Sequence, residues 1–333
     1  MAADLQISMD MQRAWTWHGQ SSATALVLED RPMPAVGMHD VLIRNRVIGL
    51  NPVDWKVLHG LPSWEDGHVP GVDGAGIVVA VGAMVAKDWI GKRVAYHQSL
   101  NRDGSFAEYT AVAARALMTV PDGMGLPQAA SLPCPALTAW LALDKLPSRS
   151  GAKLLVSGAG GAVGNYLVQM AVQRGFIVTA MSNSRHWPGL QDLGVQATAP
   201  GPLPLTDDLP GDRIGQYFAV IDTVSGDHAH RLASALEANG HMVCVQDRLQ
   251  TWPCEPFGRC LSLHEVALSA SHTFGTDQSW ARLVAAGEAT MTQIQDGTLR
   301  AEPLIIRDFL ELPQFLDDLR HRNFSGKPLI KVA

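Results

Sequence analysis

The chain has 333 residues, 47 % hydrophobic and 17 % charged, with glycine and proline plentiful but scattered. That length suits two domains with a core each, and that composition argues for a folded α/β protein and against disorder. A net charge of −6 without a Lys/Arg-rich run argues against a nucleic-acid partner, and no stretch is apolar for the ~20 residues a membrane helix needs.

The first twelve residues carry Asp4 and Asp10 and lack an apolar core of signal-peptide length, so a cytoplasmic location is expected. Between residues 13 and 120, short β-type runs at 25–28, 41–47, 76–81, 93–95 and 106–112 are broken by Gly, Pro and Asn. They predict a β-rich unit. From 128 to 143 the pattern turns helical, and beyond Pro147 short apolar strands alternate with amphipathic helices. Strands are expected at 153–157, 176–181, 219–223 and 241–245, and helices at 163–174 and 228–238. Continuous apolar runs such as 154–156 suit parallel strands buried on both faces, so this half reads as a doubly wound sheet. The tail predicts a helix from Trp280 ended by Gly297, a strand at 304–306, a helix at 312–322 and a last strand at 328–332. Cys134, Cys244, Cys254 and Cys260 form no CxxC pair and are expected reduced.

The strongest local signal is Ser157-Gly158-Ala159-Gly160-Gly161-Ala162-Val163-Gly164, between a predicted strand and a predicted helix. Glycines there let the backbone approach a pyrophosphate and present amides at a helix N-terminus, where the dipole also favours negative charge. The alternative is a turn needed only for close strand–helix packing. A second strand ending about 20 residues on favours the dinucleotide site. At that strand's end a NAD site carries Asp or Glu for the ribose 2′-hydroxyl, whereas this chain has Ser182-Asn183-Ser184-Arg185-His186. Hydroxyls, an amide and a guanidinium can hydrogen-bond a 2′-phosphate, which favours NADPH; the alternative is a solvated loop with Arg185 pointing to water.

Several segments occur in one order: Gly49-Leu50-Asn51-Pro52-Val53-Asp54-Trp55-Lys56, Val69-Pro70-Gly71-Val72-Asp73-Gly74-Ala75-Gly76, Gly91-Lys92-Arg93-Val94, Gly104-Ser105-Phe106-Ala107-Glu108-Tyr109 and the glycine run. Together, from Arg13 to Val332, they resemble the medium-chain dehydrogenase/reductase superfamily, in its zinc-independent quinone oxidoreductase branch. The resemblance implies a GroES-like catalytic domain from residues 1–130 and 275–333, a Rossmann NADPH-binding domain at 131–274, and an active site in the cleft between them.

In zinc-dependent members a cysteine stands at the position of Asn51, a His-Glu pair at Val72-Asp73, and a third ligand, again cysteine, four residues before a threonine. Only the last survives here, as Cys134 before Thr138. Catalytic zinc needs three protein ligands plus an open position, so no metal is expected. Residues 97–103 likewise lack the cysteines of the family's structural zinc lobe. Cys134 then reads as a small buried apolar filler, with a thiol lining the cleft as the alternative. The twelve histidines, including the pairs His228/His230 and His59/His68, lack zincin spacing and read as surface or core-edge residues.

Without a Lewis acid, hydride transfer must rest on fixing an acceptor carbon against the nicotinamide and on hydrogen bonds to the oxygen that gains charge. Quinones and α,β-unsaturated ketones or aldehydes suit this, because they delocalise the added charge; a simple alcohol suits it less, because its proton must leave without metal help. The resemblance implies that Asn51 faces the nicotinamide and substrate, while Asp54 ties its loop by local bonds. Lys56 stands where some quinone reductases have tyrosine and relatives resembling enone and enoyl reductases have lysine. It is the candidate for cofactor positioning and for oxyanion or proton support; a solvated lysine after a turn is the alternative. Thr138 is implied at the nicotinamide amide, with further cofactor contacts at Thr223, Val224, Val245, Gln246 and, in a following loop, Phe274. Asn323-Phe324-Ser325-Gly326-Lys327 resembles the Gly-Lys stretch that closes over the cofactor phosphates, which implicates Ser325 and Lys327.

Residues 265–271 read as an edge strand of the doubly wound sheet. Left open, such an edge invites pairing, and relatives pair it across a two-fold axis, so a homodimer is expected; a monomer with a covered edge is the alternative. Three functions stay open: NADPH-dependent reduction of quinones or enones; an alkenal or 2-enoyl reductase for one metabolite, which Lys56 favours; and a non-catalytic NADPH-binding protein, since relatives include lens, RNA-binding and vesicle proteins. The glycine run and the acidic net charge argue against a purely structural or RNA-binding role.

Overall fold

The computed structural model describes residues 11–207, 209–322 and 324–332. Asp4, Asp10 and the expected cofactor-closing Asn323 lie outside the described residues. The chain divides into two compact units, the described residues of Met1–Cys134 with Ser269–Ala333 and those of Pro135–Leu268. The crossings fall at 134/135 and 268/269, against 130/131 and 274/275 expected from the sequence.

Elements of the first stretch are β1 (Met11–Thr16), β2 (Val27–Pro32), β3 (Asp40–Gly49), α1 (Pro52–Lys56), β4 (Asp73–Val81), β5 (Arg93–His97), β6 (Tyr109–Ala113), β7 (Leu117–Thr119) and α2 (Leu126–Ala130). Next come α3 (Pro133–Asp144), β8 (Lys153–Ser157), α4 (Ala162–Gln173), β9 (Ile177–Ser182), α5 (Trp187–Asp192), β10 (Ala197–Pro200), β11 (Tyr217–Asp222), α6 (Gly226–Leu232), β12 (Leu236–Cys244) and β13 (Ser262–Glu265). The tail adds α7 (Leu268–Phe274), α8 (Asp277–Gln295), β14 (Leu304–Asp308), α9 (Leu312–His321) and β15 (Lys327–Lys331).

In the β-rich unit the ten-residue β3 is the spine, since its apolar positions Val41, Ile43, Val47 and Ile48 are all buried. β4 runs antiparallel along one side, while β6 and β15 share the other, opposite residues 40–44 and 47–49. The tail is therefore an integral strand of this sheet. Phe309, Phe315 and Ile330 join Ala14, Ile48, Leu50 and Phe106 in one core cluster. Burying each such aromatic side chain contributes ~1.5–3 kcal/mol, enough for the two chain ends to hold the unit together.

The second unit is a six-stranded parallel sheet in the order β10-β9-β8-β11-β12-β13. Counted within the unit, that is strand order 3-2-1-4-5-6, the Rossmann arrangement, whose direction reverses between β8 and β11. Ligands of such sheets bind outside the strand C-termini at that reversal. Leu154, Leu155 and Val156 are fully buried, and all six residues of β11 are buried, as strands covered on both faces require.

Two sequence expectations need correction, and two elements were not foreseen. The helix expected over 228–238 ends at Leu232; after a 3-10 turn, β12 begins at Leu236, which pairs with Tyr217 on β11. The Ala-rich run favours helix locally, and sheet pairing overrides it. The strand expected at 265–271 is instead the last residue of β13 followed by α7, so Phe274 ends a helix rather than lying in a loop. A run of Ala, Leu and Ser does not separate the two periods. Finally, β10 and α5 were absent from the sequence reading. Among the described residues, no helix is long and apolar enough to cross a membrane.

Candidate active site and dinucleotide cradle

β8 ends at Ser157 and α4 begins at Ala162, with Gly161 as a glycine N-cap that offers no side-chain bond. The first-turn amides of α4 are thus left for an outside acceptor, on the sheet's reversal point. Two of the neighbouring glycines are demanded by packing. Gly158 has φ +64°, and a Cβ there would stand 2.1 Å from Thr223 Oγ1; a Cβ on Gly164 would stand 2.5 Å from Gly158 O. Gly161 is different, because its Cβ would meet only Gly158 O, at 3.4 Å. Packing does not need that glycine, whereas a diphosphate approaching the amides does. The loop therefore fits a dinucleotide.

β9 ends in the buried Ser182, and the chain turns through a single 3-10 turn over Ser184–His186. Asn183 Oδ1 caps the turn by accepting from Arg185 N at 3.1 Å. Arg185 is exposed, and its Nε donates to His186 Nε2 at 3.1 Å. The His186 ring lies 2.4 Å from where a Cβ of Gly160 would be, so Arg185 is tied to a ring that lies against the cradle.

A buried polar trio beneath the cradle escaped the sequence reading. Asp222, at the end of β11, accepts on Oδ1 from Ser157 Oγ and from His228 Nδ1, the latter at 2.5 Å. Its Oδ2 accepts from the amides of Val224 and Ser225, each at 3.0 Å. His228 Nε2 accepts the Leu203 amide at 3.0 Å, which places the imidazole proton on Nδ1. His228 is 1 % exposed, so its reading as a surface or core-edge residue is corrected. A buried carboxylate with four donors is satisfied, and here it fastens the ends of β8 and β11 to the loop after β10. Thr223 Oγ1 donates to Ser157 O at 2.9 Å, closing the same edge. The available signal was an aspartate closing an otherwise uncharged strand. Of the other expected cofactor residues in this unit, Val224 and Val245 are partly buried, Gln246 is exposed, and Thr138 lies nearly buried on α3.

In the β-rich unit a second buried cluster forms around Asn51. Its Nδ2 donates to Asp73 Oδ2 at 2.9 Å and Gly49 O at 3.3 Å, and its Oδ1 accepts from Lys327 Nζ at 2.6 Å. At 2 % exposure its amide is engaged inward, with Asp73, Gly49 and Lys327. Lys327, expected over cofactor phosphates, instead points into this cluster, 3.9 Å from Asp73 Oδ2 and 3 % exposed. Asp54 Oδ2 accepts Asn51 N at 2.7 Å and Oδ1 accepts Val72 N at 3.2 Å, the local tie expected of it. Burial pushes the Asp54 carboxyl up to about 7 and that of Asp73 to about 6; Lys327 works against both shifts. Cys134 is not a buried filler: it is partly exposed near the start of α3, and its amide donates to both Asp73 oxygens at 3.0 and 2.9 Å. Four segments far apart in sequence, at the starts of α1, β4, α3 and β15, are joined through one carboxylate and one ammonium.

Lys56 ends α1 half-buried, and burial first, then the charge of Arg322, lowers its pKa below the usual lysine value. Phe274 and Ser325 are exposed, Ser325 lying just before Gly326 at φ +113°. Another pair passed over in the sequence is the buried His97 and the partly buried His272, with Nδ1 and Nε2 3.0 Å apart.

The donor set around Asn51 does not fit zinc. The amide is consumed, Val72 has no ligand atom, and an ammonium within 3.9 Å of Asp73 already supplies the positive charge. Among the described residues no group of three or more His, Cys, Asp or Glu is placed to hold a metal ion.

Residues 37–122 match the family model of the alcohol dehydrogenase GroES-like domain. A trans-enoyl reductase of Penicillium oxalicum is 33 % identical over 54 % of this chain and 54 % of its own, so this chain spans about half of that relative's length. The chloroplast envelope quinone oxidoreductase homolog of Arabidopsis thaliana is 30 % identical over 64 % of this chain and 68 % of its own. Among solved structures, the quinone oxidoreductase from Coxiella burnetii superposes with a TM-score of 0.78 at 22 % identity, covering 97 % of this chain and 100 % of that one; at that identity it speaks for the fold alone. With the Rossmann strand order and the glycine cradle, these similarities place the chain in the medium-chain dehydrogenase/reductase superfamily, in its quinone oxidoreductase branch.

Proposed function

We propose that the chain reduces quinones or α,β-unsaturated carbonyl compounds with NADPH, without a catalytic metal. The observation that carries this reading is Gly161, a glycine that packing does not require, at a helix N-terminus on the sheet's reversal point. Arg185, Asn183 and Ser184, with no acid among them at the end of β9, support the 2′-phosphorylated cofactor over NADH.

NADPH, when bound, supplies the hydride. The α4 amides bind the diphosphate, and the Asp222 trio holds the loops that form the cradle. In the β-rich unit the Asn51–Asp73–Lys327 cluster works as a positioning device that fixes the start of α1 and so the place of Lys56 at its end. Hydride arriving at a quinone ring or at the β-carbon of an enone leaves negative charge on the carbonyl oxygen. A lysine with a lowered pKa is a stronger proton donor than free lysine, so Lys56 Nζ hydrogen-bonds that oxygen and passes it a proton, later regained from water. The same property favours a second reading, an alkenal or 2-enoyl reductase, in which the enolate is protonated after hydride addition. A cytoplasmic location and a homodimer belong to this proposal; the second copy would pair along β13, one of the two edge strands of its sheet.

A spectrophotometric screen of NADPH oxidation with benzoquinones, 2-alkenals and cyclic enones tests it. Turnover of at least one class is expected. Tight NADPH binding with no turnover on any of them would leave a binding protein instead.

A further inference from the structure

Two cations flank one aromatic ring of the β-rich unit, and a third stands beside them. The Lys56 ammonium lies 5.4 Å from the Trp55 ring centroid, and the Arg320 guanidinium carbon lies 5.8 Å from it. Arg322, which caps α9 with φ +54°, is close enough for its charge to be felt at Lys56. The acids on α9 are committed elsewhere: Asp318 takes Arg307 at 2.8 Å, and Asp317 lies 3.4 Å from His321. Among the described residues, none of Lys56, Arg320 and Arg322 pairs with a carboxylate. Among the described residues, the buried Trp55 indole N–H has no acceptor.

Gathering like charges beside a half-buried ring costs free energy, and in a chain of net charge −6 it does not follow from composition. An anion bound by these side chains would relieve it. We propose that Lys56, Arg320 and Arg322 form a binding surface for a carboxylate or phosphate carried by the hydride acceptor, so that the favoured substrates are anionic enones or quinones. This deepens the function proposed above and rests on it.

The test compares kcat/KM, at saturating NADPH, for a neutral aryl enone and its para-carboxylate. The parent should favour the carboxylate by about tenfold at low ionic strength, two or three weak charge contacts together. That preference should collapse in 1 M salt, where the screening length is ~3 Å. A double variant, Arg320→Gln with Arg322→Asn, should lose the preference, read as the ratio of the two kcat/KM values so that any effect of Arg322 on Lys56, common to both substrates, cancels; asparagine is chosen because it tolerates the left-handed backbone at this cap. Calorimetry of NADPH with both proteins separates the other source of anionic groups. If the double variant weakens NADPH while the acceptor ratio stands, the cations serve the cofactor phosphates and the proposal falls. It falls equally if the parent shows no preference or the variant keeps it. Reduction of the neutral enone in those cases would leave the reductase reading intact. Should neither enone be reduced, calorimetric binding of the carboxylate to the NADPH-loaded protein decides: equal affinity in parent and variant, or none in the parent, overturns the proposal.

Discussion

Lys327→Met removes a buried ammonium and leaves two buried carboxylates facing an apolar side chain of similar reach. In the parent, Lys327 Nζ donates to Asn51 Oδ1 at 2.6 Å and lies 3.9 Å from Asp73 Oδ2, with 3 % of its side chain exposed. Breaking one side of a buried ion pair costs ~3–5 kcal/mol, which for a unit of this size lowers the melting temperature by on the order of 10 °C. The cost depends on pH in a definite direction. Asp54 and Asp73 have folded-state pKa values raised from 3.8 to about 7 and about 6, so each favours the folded state below pH 4 and loses that contribution as pH rises through its folded value. Without Lys327 both values rise further. At pH 8 the variant must hold ionised carboxylates in the interior or carry bound protons against the solution pH, and the full loss is expected. At pH 5 the two carboxyls are largely protonated and little remains for the ammonium to neutralise, so the loss should be a small fraction of that. Melting curves by circular dichroism for parent and variant at pH 5 and pH 8 read this directly. Equal melting of the two proteins at pH 8, or a loss that is larger at pH 5, would refute the electrostatic reasoning.

Arg185→Asp should weaken NADPH by tenfold or more, the size of a lost charge-assisted contact plus a new repulsion, and leave NADH within about threefold; equal losses in calorimetry would remove the guanidinium from the 2′-phosphate. Lys56→Met should lower kcat by about a hundredfold if Lys56 is the proton donor. In the parent, kcat should fall as pH rises through the Lys56 pKa, below the 10.5 of a free lysine, and this alkaline limb should vanish in the variant; a limb that persists unchanged would assign it to another group. His228→Phe strips one donor from Asp222 and the acceptor from the Leu203 amide, a loss of ~2–4 kcal/mol of stability for two buried bonds. It should also raise the KM for NADPH more than it lowers kcat, and an unchanged KM would separate the trio from the cradle.

What the sequence conveys well is local. A continuous apolar run ending in Ser157 and a glycine series opening a helix announce β8 and α4 almost to the residue, because strand burial, turn conformation and helix start are all decided within a dozen positions. β12 is different: its first residue, Leu236, lies in an Ala-rich run whose intrinsic preference is helical, and only the pairing with Tyr217 on another strand makes it extended. The site shows the same division. Asp54 was legible because its partner Asn51 is three residues away. The inward turn of Asn51 was not, since its partners Asp73 and Lys327 are 22 and 276 residues distant. A Gly-Lys dipeptide near the C-terminus reads as a phosphate contact until β15 is seen beside β3, which brings Lys327 into the interior. The trio beneath the cradle was hidden for the same reason, with Ser157 and Asp222 joined across 65 residues.

Titration calorimetry of ligand-free protein with NADPH and NADH bears most directly on the central claim, that the amides at the start of α4 hold a dinucleotide diphosphate. One site per chain is expected, with NADPH in the micromolar range and at least tenfold tighter than NADH, the size of a charge-assisted contact to the 2′-phosphate. Heat indistinguishable from dilution for both nucleotides at millimolar concentration would contradict the account.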